Sequence, residues 1–315
     1  MTASFIIMGG LKLIEILTRA LGFIIIIITG YLFKKRGIIT LSESKVISKI
    51  IMNLTLPAAL ASGFQGVVIN STLVSMIFLG IGTNIIMLFV GFIFSKRKSS
   101  MDKVFYMINS SSYNIGNFTI PFAQAFFPSA TLAALCLFDM GNGIMCLGIS
   151  FAVVSLIVNK NSKFSISNFL KILFSSPSFM TYIIMFIITS IGIYLPDSAY
   201  SIIKLFGNAN TFLAMFLIGI IFEINIDLEN AKKIFKIIFI RYIGSIAFAC
   251  IIFFILPFSK DIKTIITMAV FSPILSIAPI YCQRLGGDYS LAGVINSLCI
   301  VCSLISMTTI LILFT

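Results

Sequence analysis

Polar side chains suited to binding a solute are concentrated in one otherwise apolar stretch of the chain. Residues 109–121 read NSSSYNIGNFTIP. A helix that faces lipid does not carry amide and hydroxyl groups at this density, because hydrocarbon offers them no hydrogen-bond partner. Gly116 and Pro121 predict an unwound turn, and Asn114 and Asn117 supply amide donors beside it. The stretch therefore predicts a solute site inside a membrane.

A second stretch in the other half of the chain is its counterpart. Residues 271–281 read FSPILSIAPIY, with two prolines six residues apart. Interrupted helices at corresponding positions of two halves indicate a transporter binding site. Their free N–H groups and positive dipole ends favour an anion. The predicted substrate-binding residues are Tyr113, Asn114, Asn117, Pro121, Pro273, Ser276 and Pro279.

Asp139 is the acid that we expect to lie deep in the membrane, in the sequence FDMGN at 138–142. An ionisable residue at such depth is a functional candidate by default. Asp139 either carries a coupling proton, or ligates a coupling cation together with Asn142, or has a purely structural role. Three further polar or helix-breaking residues are predicted to support the site: Asn53, Pro57 and Asn296.

The composition predicts that membrane helices position these residues. The chain of 315 residues is 59% hydrophobic and only 10% charged, which is too few charges to cover a soluble surface. Long apolar runs match the roughly 20 residues that a membrane-spanning helix needs. We predict ten segments, at about 11–33, 44–64, 68–95, 103–127, 130–158, 178–195, 200–224, 232–257, 263–285 and 289–314.

The basic residues predict the orientation of these segments. The formal net charge is +12, and most of the 22 Lys and Arg residues lie in connections that follow odd-numbered segments. The positive-inside rule places those connections in the cytoplasm and both termini outside a plasma membrane. Because topology explains the positive charge, we expect no nucleic-acid partner. We also expect that no basic residue lies at midplane depth.

The chain divides into two halves of five segments each, 1–158 and 178–315, joined by a cytoplasmic connection at 159–177. An odd number of segments per half inserts the second half in the opposite orientation, giving inverted repeats. The connection mixes apolar and polar residues, so it is either a short amphipathic helix on the membrane surface or an ordinary linker.

Several function classes are disfavoured. The chain contains no His, and its six Cys residues lie within apolar segments, so we expect no metal site, no cofactor and no enzyme activity. A GxxxxGK[ST] phosphate-binding motif is absent, which argues against ATP-driven pumping. A membrane sensor that binds solute without moving it remains an alternative.

The sequence also resembles a known family. The stretches at 113–121 and 138–142, the Ala-Pro-Ile-Tyr sequence at 278–281 and the stretch at 53–57 look like bacterial members of the auxin efflux carrier family. The resemblance implies ten helices in two inverted repeats, with helices 4 and 9 broken where they cross. This fold is similar to that of bile acid:sodium symporters and sodium/proton antiporters.

The resemblance also implies a substrate class. Family members carry auxin in plants and are associated with malate, malonate or other carboxylates in bacteria, and homodimers occur among them. We therefore expect a secondary transporter of a small carboxylate or an auxin-like acid. Coupling by protons and coupling by sodium both remain open.

Overall fold

A computed structural model describes residues 2–159, 163–223 and 230–314, with side chains from Leu13 onward in these ranges. In this part of the chain all regular structure is helical. The helices are α1 (Thr2–Lys35), α2 (Ser44–Ile50), α3 (Leu56–Ser62), α4 (Ser71–Ser95), α5 (Ser100–Ser110), α6 (Ile120–Ala123), α7 (Ser129–Ile144), α8 (Ser150–Val158), α9 (Ile166–Phe174), α10 (Pro177–Ser190), α11 (Asp197–Ile221), α12 (Ala231–Cys250), α13 (Lys260–Val270), α14 (Ala278–Arg284) and α15 (Tyr289–Phe314). Single π-helical turns adjoin α2, α6, α7 and α12, at Ile51–Thr55, Ile115–Thr119, Met145–Ile149 and Ile251–Ile255.

Within the described residues, six helical stretches are long and apolar enough to cross a membrane. They are Leu13–Lys35, Ser71–Ser95, Ser129–Val158, Asp197–Ile221, Ala231–Ile255 and Tyr289–Phe314. The pair formed by α9 and α10, bent by 81°, raises the number to seven if it forms one span. An all-helical, multi-pass membrane protein is thus confirmed, whereas the count of ten crossings stays a prediction.

The outer surface of the helices is apolar, as expected for contact with lipid. Many large apolar side chains are exposed, and Leu205, Phe235 and Phe254 are 74%, 71% and 86% exposed. A soluble protein seldom exposes so many apolar side chains. The buried core includes four phenylalanines that lie in or next to α3, α6 and α7: Phe64, Phe118, Phe122 and Phe138. The polar residues of the first stretch are buried as well, apart from the half-buried Asn117, so they face protein rather than lipid.

Two of the prolines follow π-helical turns with a common sequence. Asn53-Leu-Thr-Leu-Pro57 and Asn117-Phe-Thr-Ile-Pro121 share the pattern NxTxP, and in both the proline is the second residue of the next α-helix. A proline ring clashes with the carbonyl four residues earlier in a regular helix. The wider π-helical turn relieves this clash, so the helix continues through the proline.

Glycines allow α4 and α7 to pack with their backbones in contact. A Cβ atom added to Gly80 would collide with the carbonyl oxygen of Phe138, and one added to Gly141 would collide with that of Ile77. A second reciprocal pair, Gly30 and Gly219, joins α1 to α11 in the same way. Small residues at the contact are a usual means of packing membrane helices closely.

We predict that Gly80→Ala destabilises the protein by about 1–3 kcal/mol, because the added methyl group has no room without a backbone shift. Gly82→Ala is the matched control in the same helix, since no atom lies within 4 Å of its added Cβ. Thermal unfolding in detergent should show a lower midpoint for Gly80→Ala only. Equal midpoints for the two variants would contradict the packing described here.

Candidate functional site

The first break lies between α5 and the helical turn that begins at Ile115. Ser112 has a φ of 69°, a left-handed conformation that residues other than glycine rarely adopt. The Oδ1 atom of Asn84 accepts a hydrogen bond from the Ser112 N–H at 2.8 Å. A guanidinium nitrogen of Arg241 donates to the Ser112 carbonyl at 3.3 Å. The unusual backbone is therefore held from two sides, by α4 and by α12.

The position of this break corrects the sequence prediction. The prediction of an unwound turn between Gly116 and Pro121 was wrong, because these residues belong to a π-helical turn and to α6. The chain is non-helical at 111–114 instead. There the backbone groups find side-chain partners on other helices, which an isolated sequence stretch does not show.

The second break spans residues 271–277, between α13 and α14, and it contacts the first break directly. The backbone N–H of Asn114 donates to the Pro273 carbonyl at 3.0 Å, and Tyr113 and Ile274 form an antiparallel bridge. The Nδ2 atom of Asn114 donates to the Ser276 hydroxyl at 2.8 Å. The hydroxyl groups of Thr119 and Ser272 are also hydrogen-bonded. The two predicted interrupted helices therefore meet at their breaks.

Arg241 joins the ends of α5 and α13 at this crossing. Its side chain is buried, and its Nη1 atom donates to four carbonyl oxygens at the end of α5, at 2.9–3.3 Å. Its Nη2 atom donates to the Ser272 carbonyl at 3.1 Å. These carbonyls lie at helix C-termini, where a cation is favourable.

The expectation that no basic residue lies at the depth of the site was therefore wrong for Arg241. It lies inside α12, against both breaks. The interruption of two helices in one place leaves carbonyl oxygens that only a donor from a third helix can satisfy, and this explains the buried charge.

A cavity of about 540 Å³ extends from the crossing to one surface of the protein. Its inner end is bounded by buried residues such as Leu56 and Ile115. Its outer end includes the exposed residues Leu41, Lys45 and Tyr289. The outer lining also includes Ser176, in the connection after predicted segment 5, and Glu223, at the end of predicted segment 7. The cavity thus opens on the side that the positive charges predict to be cytoplasmic.

Most of the predicted site residues line this cavity. Those that the structure brings together there are Tyr113, Asn114, Asn117, Ser276, Pro279, Asp139, Asn142 and Asn296. Pro121 and Pro273 are buried behind the wall, and their carbonyls accept hydrogen bonds from Thr211 and Asn114. Asn53 is exposed and donates to the Lys49 carbonyl, and Pro57 lies in the first turn of α3. Neither of these last two reaches the cavity lining.

Asn142 is the centre of a hydrogen-bond network on the cavity wall. Its Oδ1 atom accepts from Asn84 Nδ2 at 3.1 Å and from the Tyr113 N–H at 3.2 Å. Its Nδ2 atom donates to the Tyr113 carbonyl at 2.9 Å and to Asp139 Oδ1 at 2.8 Å. One amide thereby connects α4 and α7 to the first break and to the acid.

Asp139 accepts its second hydrogen bond from the Tyr182 hydroxyl, at 2.5 Å from Oδ2. Its side chain is buried, and in the described part of the chain it makes no salt bridge. Oδ2 also lies 3.3 Å from the position of a Cβ atom on Gly116, so a larger residue there would crowd the acid. The carboxyl group therefore borders the cavity and lies against the π-helical turn that follows the first break.

Three cavity-lining amides carry an oxygen atom that has no hydrogen-bond partner in the structure. These are the Oδ1 atoms of Asn114, Asn117 and Asn296. The Tyr113 hydroxyl group, in the same wall, also lacks a partner. Buried polar atoms normally find partners, so atoms left without one beside a cavity indicate a place for a solute.

Sequence reasoning missed three residues of this site: Asn84, Tyr182 and Arg241. Each lies in a helix made mostly of apolar residues. Their polar side chains are the signal that could have identified them, because a polar group in a membrane helix needs a specific partner. Which partner each one has depends on the packing of the helices.

The fold and the cavity define a class: a multi-pass, all-helical membrane protein with a solute-sized cavity that ends at two crossing helix breaks. A family model described as "Membrane transport protein" matches residues 16–168. The resemblance to the auxin efflux carrier family is thereby confirmed for this part of the chain. A search of curated proteins found no match to the chain.

Proposed function

We propose that the protein is a secondary transporter that carries a small organic anion across a cell membrane by alternating access. The observation that carries the proposal is the cavity that ends at the crossing and whose exposed lining residues Leu41, Lys45 and Tyr289 adjoin one predicted face of the membrane. The family match to membrane transport proteins supports movement of a solute rather than catalysis. The opening toward the positively charged connections corresponds to an inward-facing state.

Corresponding elements support a plan of ten helices in two inverted repeats. Three pairs each begin 160 residues apart: α4 at Ser71 and α12 at Ala231, α5 at Ser100 and α13 at Lys260, and α7 at Ser129 and α15 at Tyr289. The bridge between Tyr113 and Ile274 is antiparallel, so the chain passes through the two breaks in opposite directions. Opposite directions at equivalent positions are what inverted repeats require.

The amides at the crossing can bind a carboxylate. Asn114 Nδ2 donates to the Ser276 hydroxyl, which can equally act as a donor. A rotation of the amide by 180° keeps this hydrogen bond and turns the N–H groups toward the cavity. The buried Arg241, whose guanidinium carbon lies 5.2 Å from the centre of the Tyr113 ring, adds positive potential behind the wall. A small carboxylate such as malate or malonate fits this chemistry.

Asp139 makes coupling to a proton the simplest mechanism. A carboxylate solute at Asn114 and Asn117 would be repelled by an ionised Asp139 on the same wall. Uptake of a proton by Asp139 removes this repulsion, so the solute and the proton favour each other's binding. Such mutual dependence is what couples a substrate to an ion gradient.

Sodium coupling is the second candidate, because the unpartnered atoms are oxygens. The Oδ1 atoms of Asn114, Asn117 and Asn296 and the Asp139 carboxyl group line one cavity, and hard cations prefer oxygen ligands. Uptake into proteoliposomes with pH and sodium gradients imposed separately distinguishes the two mechanisms. Solute binding without uptake under either gradient would support a sensor instead.

We predict that Asn117→Ala raises the KM for the transported carboxylate about tenfold, because a hydrogen bond to a charged group contributes about 1.5 kcal/mol or more. Asn53→Ala is the matched control, since Asn53 lies outside the cavity. Concentration-dependent uptake of labelled carboxylates measures both values. Transport of a cation or neutral solute that Asn117→Ala leaves unchanged would refute the anion proposal.

A further inference from the structure

A second cavity, of about 360 Å³, lies between α9 and the helices α8 and α14. Its walls are mainly apolar and include Phe151, Phe169 and Ile172. The rings of Phe151 and Tyr281 lie 5.1 Å apart and form part of one wall. We call this cavity the α9 groove. It is separate from the transport cavity, although Leu147 and Ile277 line both.

Two basic residues border the α9 groove, and no acid is among the described residues that line it. Lys163 and Arg284 are both exposed, and neither forms a salt bridge with a described residue. Asn168 lies on the same rim. A groove with apolar walls and two free cations at its mouth is complementary to an acyl chain joined to an anionic headgroup.

The placement of α9 brings this groove to the membrane surface. α9 is bent by 81° from the apolar helix α10, so it lies nearly perpendicular to it. Its residues Ile166, Leu170 and Phe174 are exposed to different degrees, from 41% to 64%. A short amphipathic helix in this orientation lies in the interface between headgroups and acyl chains. The sequence alternative of an amphipathic helix is therefore the one that the structure favours.

We propose that the α9 groove binds an anionic glycerophospholipid, with an acyl chain against Phe151 and Phe169 and the phosphate between Lys163 and Arg284. The α9 groove is apolar and exposed, so lipids of the surrounding bilayer can enter it. A lipid seated there contacts α14, which begins at the second break. If the proposed transport function is correct, lipid composition therefore influences transport through α14. Binding itself does not rest on that function.

The test compares two lipids on the purified full-length protein. Fluorescently labelled phosphatidylglycerol and phosphatidylcholine are titrated in detergent, and we expect phosphatidylglycerol to bind at least tenfold more tightly, since each basic residue contributes about fivefold. The variant K163Q/R284Q should lose this preference. The control K96Q/R97Q removes two exposed charges on the same predicted face and should keep it.

A further variant, Ala152→Phe, fills the apolar part of the groove and should weaken the binding of both lipids. Equal affinity of the wild-type protein for the two lipids would overturn the proposal. It would also be overturned if K163Q/R284Q kept the preference, or if Ala152→Phe bound both lipids as the wild type does. Because none of these measurements involves transport, their failure is distinct from failure of the proposed function.

Discussion

Replacing Arg241 with glutamine is expected to destabilise the protein by about 3–5 kcal/mol, because buried carbonyls lose their donors, and to abolish transport. The guanidinium group donates hydrogen bonds to five backbone carbonyls, four at the end of α5 and one at Ser272. Glutamine has a shorter side chain and only one NH₂ group. Most of these carbonyls would stay buried without a partner, and each such loss costs about 1–3 kcal/mol.

Two further variants separate charge from geometry at this position. Arg241→Lys keeps the positive charge but loses the planar fork that reaches both helix ends, so we expect a smaller but clear loss of stability. Lys232→Gln removes an exposed cation at the start of the same helix and should have little effect. The measurements are thermal unfolding in detergent and uptake into proteoliposomes. If Arg241→Gln unfolded at the same temperature as the wild-type protein, the five hydrogen bonds would contribute little to stability.

The sequence was sufficient to predict that the chain is helical and membrane-embedded and that two of its segments are broken. The apolar runs, the clustered amides and the prolines carried those predictions, whereas the crossing of the two breaks was implied by the family resemblance. The stretch around Asn114 was recognised because hydrocarbon cannot satisfy so many polar groups. The second break was recognised from Pro273 and Pro279, and it indeed lies between the end of α13 and the start of α14.

Prolines were less reliable guides to the first break. Pro57 and Pro121 were expected to mark interruptions, but both lie near the start of a helix that follows a π-helical turn. The break lies further upstream, where Ser112 adopts a left-handed conformation. A serine gives no local sign of this, because the conformation is stabilised by Asn84 and Arg241 from other helices.

Arg241 shows why a rule based on counting charges fails for individual residues. The positive-inside rule concerns basic residues near the ends of spans, and it treats Arg241 like its exposed neighbours. Arg241 follows Lys236, the nearest lysine of α12, by more than one helical turn. Only the meeting of two helix C-termini explains a guanidinium at this place, and that meeting is a tertiary feature.

The second large effect is expected at Asp139, where the sequence left a functional and a structural role open. Asp139→Asn keeps the size of the side chain but cannot exchange a proton. If Asp139 carries the coupling proton, uptake driven by a pH gradient should fall to the level of protein-free liposomes. Exchange of labelled for unlabelled solute without a gradient should persist, because the amides of Asn114 and Asn117 are unchanged.

A structural role makes a different prediction for the same variant. Asp139 accepts hydrogen bonds from Asn142 and Tyr182, so loss of a structural carboxylate would lower the thermal midpoint and abolish exchange together with uptake. Tyr182→Phe removes one of the two hydrogen bonds and leaves the titratable group in place. With a coupling role it should therefore retain pH-driven uptake, with an altered pH dependence. Asp261→Asn, at an exposed acid on α13, is the control for loss of a carboxylate.

The comparison of uptake with exchange decides the question because the two assays differ only in their need for an ion gradient. A carboxyl group that opens onto the cavity and makes no salt bridge among the described residues is placed to gain and lose a proton as the cavity fills. Retention of pH-driven uptake by Asp139→Asn would exclude that role. Uptake that then followed a sodium gradient would assign coupling to the amide oxygens of Asn114, Asn117 and Asn296 instead.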